Sequence, residues 1–328
     1  MARVVRTDRE LELPGVDAAL RAAGHDLLLL ADGIAEEILI EETREAELLL
    51  MCYAPITRRV IESAKKLKGI VKYGVGIDAI DIAAARERGI PVVNVPDYAE
   101  ETVAEGAFAL MMALAKNHKG IEKAMSRDGW AWPEQRWLAA DLAGKTAGLV
   151  GLGRIGSSFA RMAAGFRMRV LAYDPYVKNT VADLRGMLAQ SDFVSIHCVL
   201  NTKTRHLIGE AELRAMKPTA YLINVSRGAI VDEAALLKTL LEKRIAGAAL
   251  DVYSQEPLAR RGHPLSALYE MDNVILSPHI TFYTREAMAR LEADTLERCR
   301  EVLEGRPVTV RSRDPRLRAQ TRGVRFAG

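Results

Sequence analysis

The sequence predicts an α/β protein built of two open, parallel sheets, on three observations. Short apolar runs alternate with stretches of helical period in two separate sets, the pattern that strand–helix–strand units on a parallel sheet require. A glycine-rich turn, Gly151-Leu152-Gly153-Arg154-Ile155-Gly156, opens the second set between an apolar run and a helical segment. The 328 residues also exceed what one core of about 150 residues encloses.

In the first set the strands are Val4-Val5, Asp26 to Leu30, Glu47 to Met51, Gly69 to Tyr73 and Ile90 to Asn94. Between them Val16 to Ala23 forms a helix that stops at Gly24. Thr57 caps a second helix carrying Val60, Ile61, Ala64 and Leu67, and Asp81 caps a third that ends at Gly89. The segment Lys72-Tyr73-Gly74-Val75-Gly76-Ile77-Asp78 follows a strand. It stands at the sheet edge where such folds bind ligands, although a plain tight turn has the same composition. From Tyr98 to Asn117 a helical stretch is apolar on most sides through Val103, Ala104, Ala107, Phe108, Leu110, Met111 and Leu114. A helix of that kind is buried, between domains or between subunits. Trp130, Trp132 and Trp137 then cluster around Pro133, which reads either as local packing or as a subunit contact.

In the second set the strands are Ala147 to Val150, Arg169 to Tyr173, Ser191 to His197, Ala220 to Asn224 and Ala246 to Asp251, with Asp232 capping a helix through Leu241. At the turn, Gly151 permits the sharp change of direction, Gly153 lets backbone approach a pyrophosphate, and Gly156 lets helix and strand close up. Phosphates then meet the positive end of the following helix. Asp174 ends the next strand, where a carboxylate accepts from a ribose 2′-hydroxyl and repels a 2′-phosphate, so the expected cofactor is NAD rather than NADP. The fold class is therefore a pair of Rossmann-like domains with the active site in the cleft between them. A final helix from Thr284 to Leu303 returns the chain to the first domain. The expected division is residues 1–98 with 284–328 for substrate and 99–283 for the dinucleotide.

Composition excludes several other classes. Apolar residues are 49% and charged residues 27%, as in soluble globular proteins, and no apolar run is long enough to span a membrane. Met1 to Arg9 lacks an apolar signal core, so a cytoplasmic protein is expected. Cys52, Cys198 and Cys299 are too widely spaced for a zinc site and odd in number, so inert thiols are expected and no metal. The net charge of +3 arises in the segment after Gly305, which holds seven arginines and one aspartate. That segment reads as a solvated, disordered basic extension to an acidic body, and nucleic acid is not the expected partner.

Three polar residues near strand ends carry the chemistry. Arg227 follows a strand and precedes Gly228, where a guanidinium can grip a carboxylate through two parallel hydrogen bonds. His279, in Ser277-Pro278-His279, can exchange a proton near neutral pH, and Glu256 can orient its ring and stabilise the imidazolium.

Over nearly its full length the chain resembles the D-isomer-specific 2-hydroxyacid dehydrogenase family. The matching motifs are Tyr73-Gly74-Val75-Gly76-Ile77-Asp78, Asn94-Val95-Pro96, Val103-Ala104-Glu105, the glycine turn with Tyr173-Asp174-Pro175, Asn224-Val225-Ser226-Arg227-Gly228, Ala249-Leu250-Asp251-Val252-Tyr253, Glu256-Pro257-Leu258 and Ser277-Pro278-His279. The resemblance implies that Arg227 anchors substrate, that His279 paired with Glu256 is the acid and base, and that backbone N–H groups of Val75 and Gly76 hold the substrate carboxylate. It implies NAD contacts at Thr102, Gly151, Gly153, Arg154, Ile155, Gly156, Asp174, His197, Cys198, Val199, Thr204, Asn224, Val225, Ser226, Arg227, Asp251 and His279. It also implies a homodimer formed through the NAD domain. Two departures stand out. Val199 occupies a position where family members usually carry proline, and Ile280-Thr281-Phe282-Tyr283 replaces the small residues many have after the histidine. That segment resembles the D-lactate dehydrogenase branch and the C-terminal binding proteins, as does Tyr53-Ala54-Pro55-Ile56-Thr57. Tyr53 and Phe282 are the expected walls around the substrate side chain. The expected function is NAD-dependent interconversion of a 2-oxoacid and a D-2-hydroxyacid; the alternative is an NAD-sensing, dimerising interaction protein of the C-terminal binding protein type.

Overall fold

The computed structural model describes residues 1–130, 132–178 and 180–327. The chain divides into two compact units, Met1–Ala99 with Thr284–Gly328, and Glu100–Tyr283.

The first unit is built on five parallel strands, β1 (Arg3–Arg6), β2 (Asp26–Leu29), β3 (Leu48–Met51), β4 (Gly69–Lys72) and β5 (Val92–Asn94), in the order β2-β1-β3-β4-β5. Strands β3, β4 and β5 are buried on both faces, which explains why they read as unbroken apolar runs rather than alternating ones. Chain direction across the sheet reverses between β1 and β3, the switch point where open sheets take ligands at their carboxyl ends. Here that point is filled from within. The Asp8 carboxylate accepts from the backbone N–H groups of Cys52, Tyr53 and Ala54 at 2.6, 3.0 and 2.9 Å. The loop after β3 is thereby pinned to the loop after β1.

The second unit carries six parallel strands, β6 (Thr146–Val150), β7 (Arg169–Tyr173), β8 (Phe193–Ile196), β9 (Tyr221–Asn224), β10 (Gly247–Leu250) and β11 (Val274–Leu276), ordered β11-β10-β9-β8-β6-β7. Its switch point lies between β6 and β8, beside the glycine turn. The long helix Glu100–Ala115 packs along helix Arg154–Gly165 within this unit. Phe108 meets Phe159 and Phe166 at ring distances of 5.6 and 4.9 Å, and Glu101 accepts from Ser158 at 2.9 Å. These contacts lie within its own unit. The sequence reading omitted β11 and the helices Glu36–Thr43, His118–Asp128, Leu184–Gln190, Glu210–Ala215 and Pro315–Arg318; β11 has only three residues, too few for a period to register.

The basic C-terminal segment corrects an expectation. It is not a disordered extension, because its apolar residues and most of its charges are placed. Strands β12 (Val308–Val310) and β13 (Val324–Phe326) pair in parallel, and Val308, Val310 and Leu317 are buried. Arg311 pairs with Asp294 at 3.3 Å, Arg316 with Asp314 at 2.8 Å, and Arg325 with the buried Glu301 at 2.9 Å. Gln320 takes the N–H of Val92 at 2.7 Å and donates to its carbonyl at 2.9 Å, covering the exposed edge of β5. A count of sequence charge misses this, since two of the matching carboxylates, Asp294 and Glu301, lie before the segment. The tryptophan expectation also shifts. Trp130 and Trp132 are 59% and 73% exposed and meet edge to face at 5.9 Å, while Trp137 lies under the Arg136 guanidinium.

Candidate active site

At the carboxyl edge of the second sheet, the three glycines of the turn are there for different reasons. A Cβ on Gly151, whose φ is +100°, would meet the backbone of Cys198 at 2.6 Å, and one on Gly156 would meet the Gly151 carbonyl at 2.3 Å. Both are required by the protein's own packing. A Cβ on Gly153 would meet nothing within 4 Å. No internal contact calls for glycine there, so its use is for close approach from outside, which is what a pyrophosphate over the N-terminus of helix Arg154–Gly165 needs. The observed residues therefore fit a dinucleotide. Asp174 is fixed beside the turn: one carboxylate oxygen accepts from Leu152 N–H at 2.9 Å and the other from Tyr176 N–H at 2.9 Å. A carboxylate has further lone pairs, so ribose hydroxyls can share it.

The other expected cofactor residues fall around the same edge with distinct environments. Arg154 begins the helix and pairs with Glu100 at 2.8 Å, and Ile155 is the next helical residue. Thr102 is buried in helix Glu100–Ala115. His197 lies against Phe159 at 5.2 Å. Both of its ring nitrogens are sealed from solvent without a hydrogen-bond partner among the described residues, and burial depresses its pKa to about 3, so it is neutral. Burial pushes the Cys198 thiol up to about 12. Val199 is 63% exposed, and its carbonyl accepts from Thr204 Oγ1 at 2.7 Å, closing the loop they share. Asn224 ends β9, takes Ser226 N–H at 3.1 Å and donates to the Arg227 carbonyl at 2.9 Å, while Val225 is buried beside it.

The catalytic candidates meet at the ends of β9, β10 and β11. His279 has φ +59°, a left-handed conformation that a non-glycine residue holds only when its surroundings fix it. Asp251, fully buried after β10, supplies that fixing: its carboxylate accepts from Ile280 N–H at 2.9 Å, Thr281 N–H at 3.1 Å and Thr281 Oγ1 at 2.7 Å. His279 Nδ1 and Glu256 Oε2 are 2.9 Å apart, and Glu256 Oε1 accepts from Tyr253 N–H at 2.9 Å. Burial opposes ionisation of Glu256, but the His279 hydrogen bond and charge, the Tyr253 N–H and the Arg227 charge outweigh it and hold its pKa below the ordinary value. Arg227 donates to the Ser226 carbonyl at 2.7 Å. Gly228 has no room for a side chain, since a Cβ would meet the Tyr253 carbonyl carbon at 2.1 Å; the Arg227 and Glu256 segments are in backbone contact. Phe282 is buried and stands edge-on to the His279 ring at 6.4 Å.

At the carboxyl edge of the first sheet, exposed Val75 and half-buried Gly76 present backbone N–H groups with no acceptor among the described residues. The Val75 carbonyl is turned aside to Asn94 Nδ2 at 2.6 Å. Adjacent unpaired N–H groups of this kind suit an anion. Tyr53 is 40% exposed on the pinned loop after β3. Sequence reasoning missed Asp8, Tyr253, Thr281 and the bracing of the histidine loop by Asp251. Asp8 and Asp251 act on main-chain groups far along the chain, which only the spatial arrangement reveals, and the Tyr253 N–H, three residues from Glu256, carries no side-chain signal.

Comparison with known proteins gives a consistent result. Residues 108–281 match the family model described as D-isomer specific 2-hydroxyacid dehydrogenase, NAD binding domain. The chain is 41% identical over 276 residues to glyoxylate reductase of Korarchaeum cryptofilum, covering 80% of this chain and 82% of that one. It is 39% identical over 286 residues to D-3-phosphoglycerate dehydrogenase of Methanocaldococcus jannaschii, covering 84% of this chain but spanning only 53% of that enzyme. The fold matches D-lactate dehydrogenase of Aquifex aeolicus, solved with NAD and lactic acid, at a TM-score of 0.82 and 29% identity, covering 92% and 96% of the two chains.

Proposed function

The chain belongs to the D-isomer-specific 2-hydroxyacid dehydrogenase family, and from that premise we propose that it interconverts a small 2-oxoacid and its D-2-hydroxyacid. The observation that carries the reading is the His279–Glu256 pair at 2.9 Å on a loop locked by Asp251. In its nicotinamide, bound NAD supplies the hydride acceptor, or NADH the donor. Gly153, Arg154 and Ile155 are its phosphate end and Asp174 its ribose anchor, which favours NAD over NADP.

The chain's own residues do the rest. With Nδ1 committed to Glu256, His279 uses Nε2 to deliver a proton to the carbonyl oxygen in reduction and to remove it in oxidation. Glu256 holds the ring in one orientation and balances the imidazolium charge. Arg227 grips the substrate carboxylate and polarises the adjacent carbonyl, with Phe282 presenting aromatic surface beside His279. In the first unit, the N–H groups of Val75 and Gly76 suit a carboxylate and Tyr53 offers exposed aromatic surface. The Lys72 ammonium stands 5.6 Å from the Tyr53 ring centroid, but Lys72 is only 5% exposed and donates to Cys52 Sγ, so it is directed inward rather than offered to a substrate phosphate. The substrate is therefore a small, unphosphorylated 2-oxoacid, in the size class that the name of the Korarchaeum relative denotes. Exposed Trp130 and Trp132 are the candidate contact of a homodimer. The test is NADH-dependent reduction of a 2-oxoacid panel by wild type and His279→Ala. Loss of roughly 10²-fold or more in turnover with NADH affinity retained supports the role; equal loss of both makes His279 structural.

A further inference from the structure

In the first unit, Lys72 and Cys52 form a contact that the proposed reaction does not use. Register places Met51 of β3 opposite Lys72 of β4, so Cys52, one residue on, is carried beside the lysine by the rigid sheet. Lys72 Nζ donates to Cys52 Sγ at 3.0 Å, and its only other acceptor among the described residues is the Tyr73 carbonyl at 3.5 Å. No carboxylate lies within ion-pair distance of Lys72 among the described residues. Lysine and cysteine are 5% and 7% exposed. An ammonium buried with a thiol in place of an anion is a costly choice, and an apolar side chain would fill the space at less cost. The pair also touches functional ground: a Cβ on Gly74 would meet Lys72 Nζ at 2.8 Å, and the ammonium stands 5.6 Å from the Tyr53 ring centroid.

We propose that Cys52 and Lys72 are an oxidative modification site, at which dioxygen joins them through a covalent S–O–N bridge. The step balances as thiol plus ammonium plus O2 giving S–O–NH, one water and one proton. One oxygen atom becomes the bridge and the other leaves as water. Sulfur and nitrogen each give up two electrons, and dioxygen takes the four. The S–H bond and two of the three N–H bonds are broken; two of these hydrogens leave in the water and the third goes to solvent as the proton. Dioxygen is small and apolar, so it reaches a site that charged oxidants do not. The product replaces a buried charge with a neutral tie between the ends of β3 and β4, from which Tyr53 and the Gly74–Gly76 loop spring.

The test is peptide mass analysis of the full chain after equilibration with air. Glutamyl endopeptidase cleaves after Glu62 and so puts the two residues on separate peptides. The expected result is a linked pair whose mass is that of both peptides plus one oxygen less two hydrogens. It should be absent from protein kept anaerobic, absent from Cys52→Ser and from Lys72→Arg, and lost on treatment with dithiothreitol. Two results overturn the proposal: only unlinked peptides in air-equilibrated wild type, or Cys52 oxidised to sulfinic or sulfonic acid with Lys72 unmodified. The wild-type comparison with and without air decides the matter even where a variant folds poorly.

Discussion

Replacing Glu256 by Gln removes one charge and almost no volume. The amide oxygen can still accept from Tyr253 N–H, but the atom facing His279 Nδ1 becomes an amide nitrogen, and two donors then compete for one line. The imidazolium loses its carboxylate, and in the neutral ring Nδ1 must accept, which leaves Nε2 protonated and unable to act as base. A hydrogen bond to a charged group contributes about 1.5–3 kcal/mol, and at about 1.4 kcal/mol per tenfold this is about 10- to 150-fold in kcat/KM. The two side chains are 31% and 24% exposed, and solvent screening moves the expectation toward the lower end, about 10- to 30-fold. The pH dependence follows from Glu256, whose folded pKa lies below the ordinary 4.5. Its contribution is whole above 4.5 and disappears as pH falls through the depressed value. Steady-state kcat/KM for 2-oxoacid reduction, with NADH saturating, should therefore differ between wild type and variant by a constant factor near neutrality that shrinks on acidification below 4.5. Equal activity near neutrality, or a ratio that ignores pH, would refute the partnership.

Other perturbations separate packing from ligand contact. Gly153→Ala should leave the melting temperature of the ligand-free protein nearly unchanged while weakening NADH binding roughly tenfold, whereas Gly156→Ala should destabilise the fold by about 1–3 kcal/mol through its clash with the Gly151 carbonyl. Calorimetry and NADH titration on both variants check this, and the reverse pattern would reject the glycine assignments. Asp174→Ala should narrow the ratio of kcat/KM between NADH and NADPH, and an unchanged ratio would mean the carboxylate only braces Leu152 and Tyr176. Arg227→Lys keeps charge but loses two-pronged geometry, so KM for the 2-oxoacid should rise much more than for an exchange at exposed Arg260; similar values in both variants would remove Arg227 from substrate binding.

The two parallel sheets were legible in the sequence because central strands buried on both faces appear as short apolar runs between capped helices. Thr57, Asp81 and Asp232 do cap their helices, each accepting from a first-turn N–H, so local chemistry and fold agree there. What was not legible depends on pairings across long separations. The arginines after Gly305 look unmatched until Asp294 and Glu301 are brought beside them. Asp251 reads as another polar strand end, yet its three hydrogen bonds are what hold the histidine loop. In the sequence Lys72 is only the first residue of the glycine-rich segment at the end of a strand; its burial against Cys52 shows it directed inward. The pairing of Glu256 with His279 was expected from the sequence and its family resemblance, and the structure adds the 2.9 Å contact and the loop that holds it.

The most direct test of the proposed chemistry is the rate of NADH oxidation by the purified protein with glyoxylate, pyruvate, longer apolar 2-oxoacids and phosphohydroxypyruvate. Turnover of an unphosphorylated member, with a higher kcat/KM than phosphohydroxypyruvate and loss of about 10²-fold in His279→Ala, is the expected result. A protein that binds NADH but turns over none of them would contradict the enzymatic reading, and preference for the phosphorylated acid would contradict the assigned substrate.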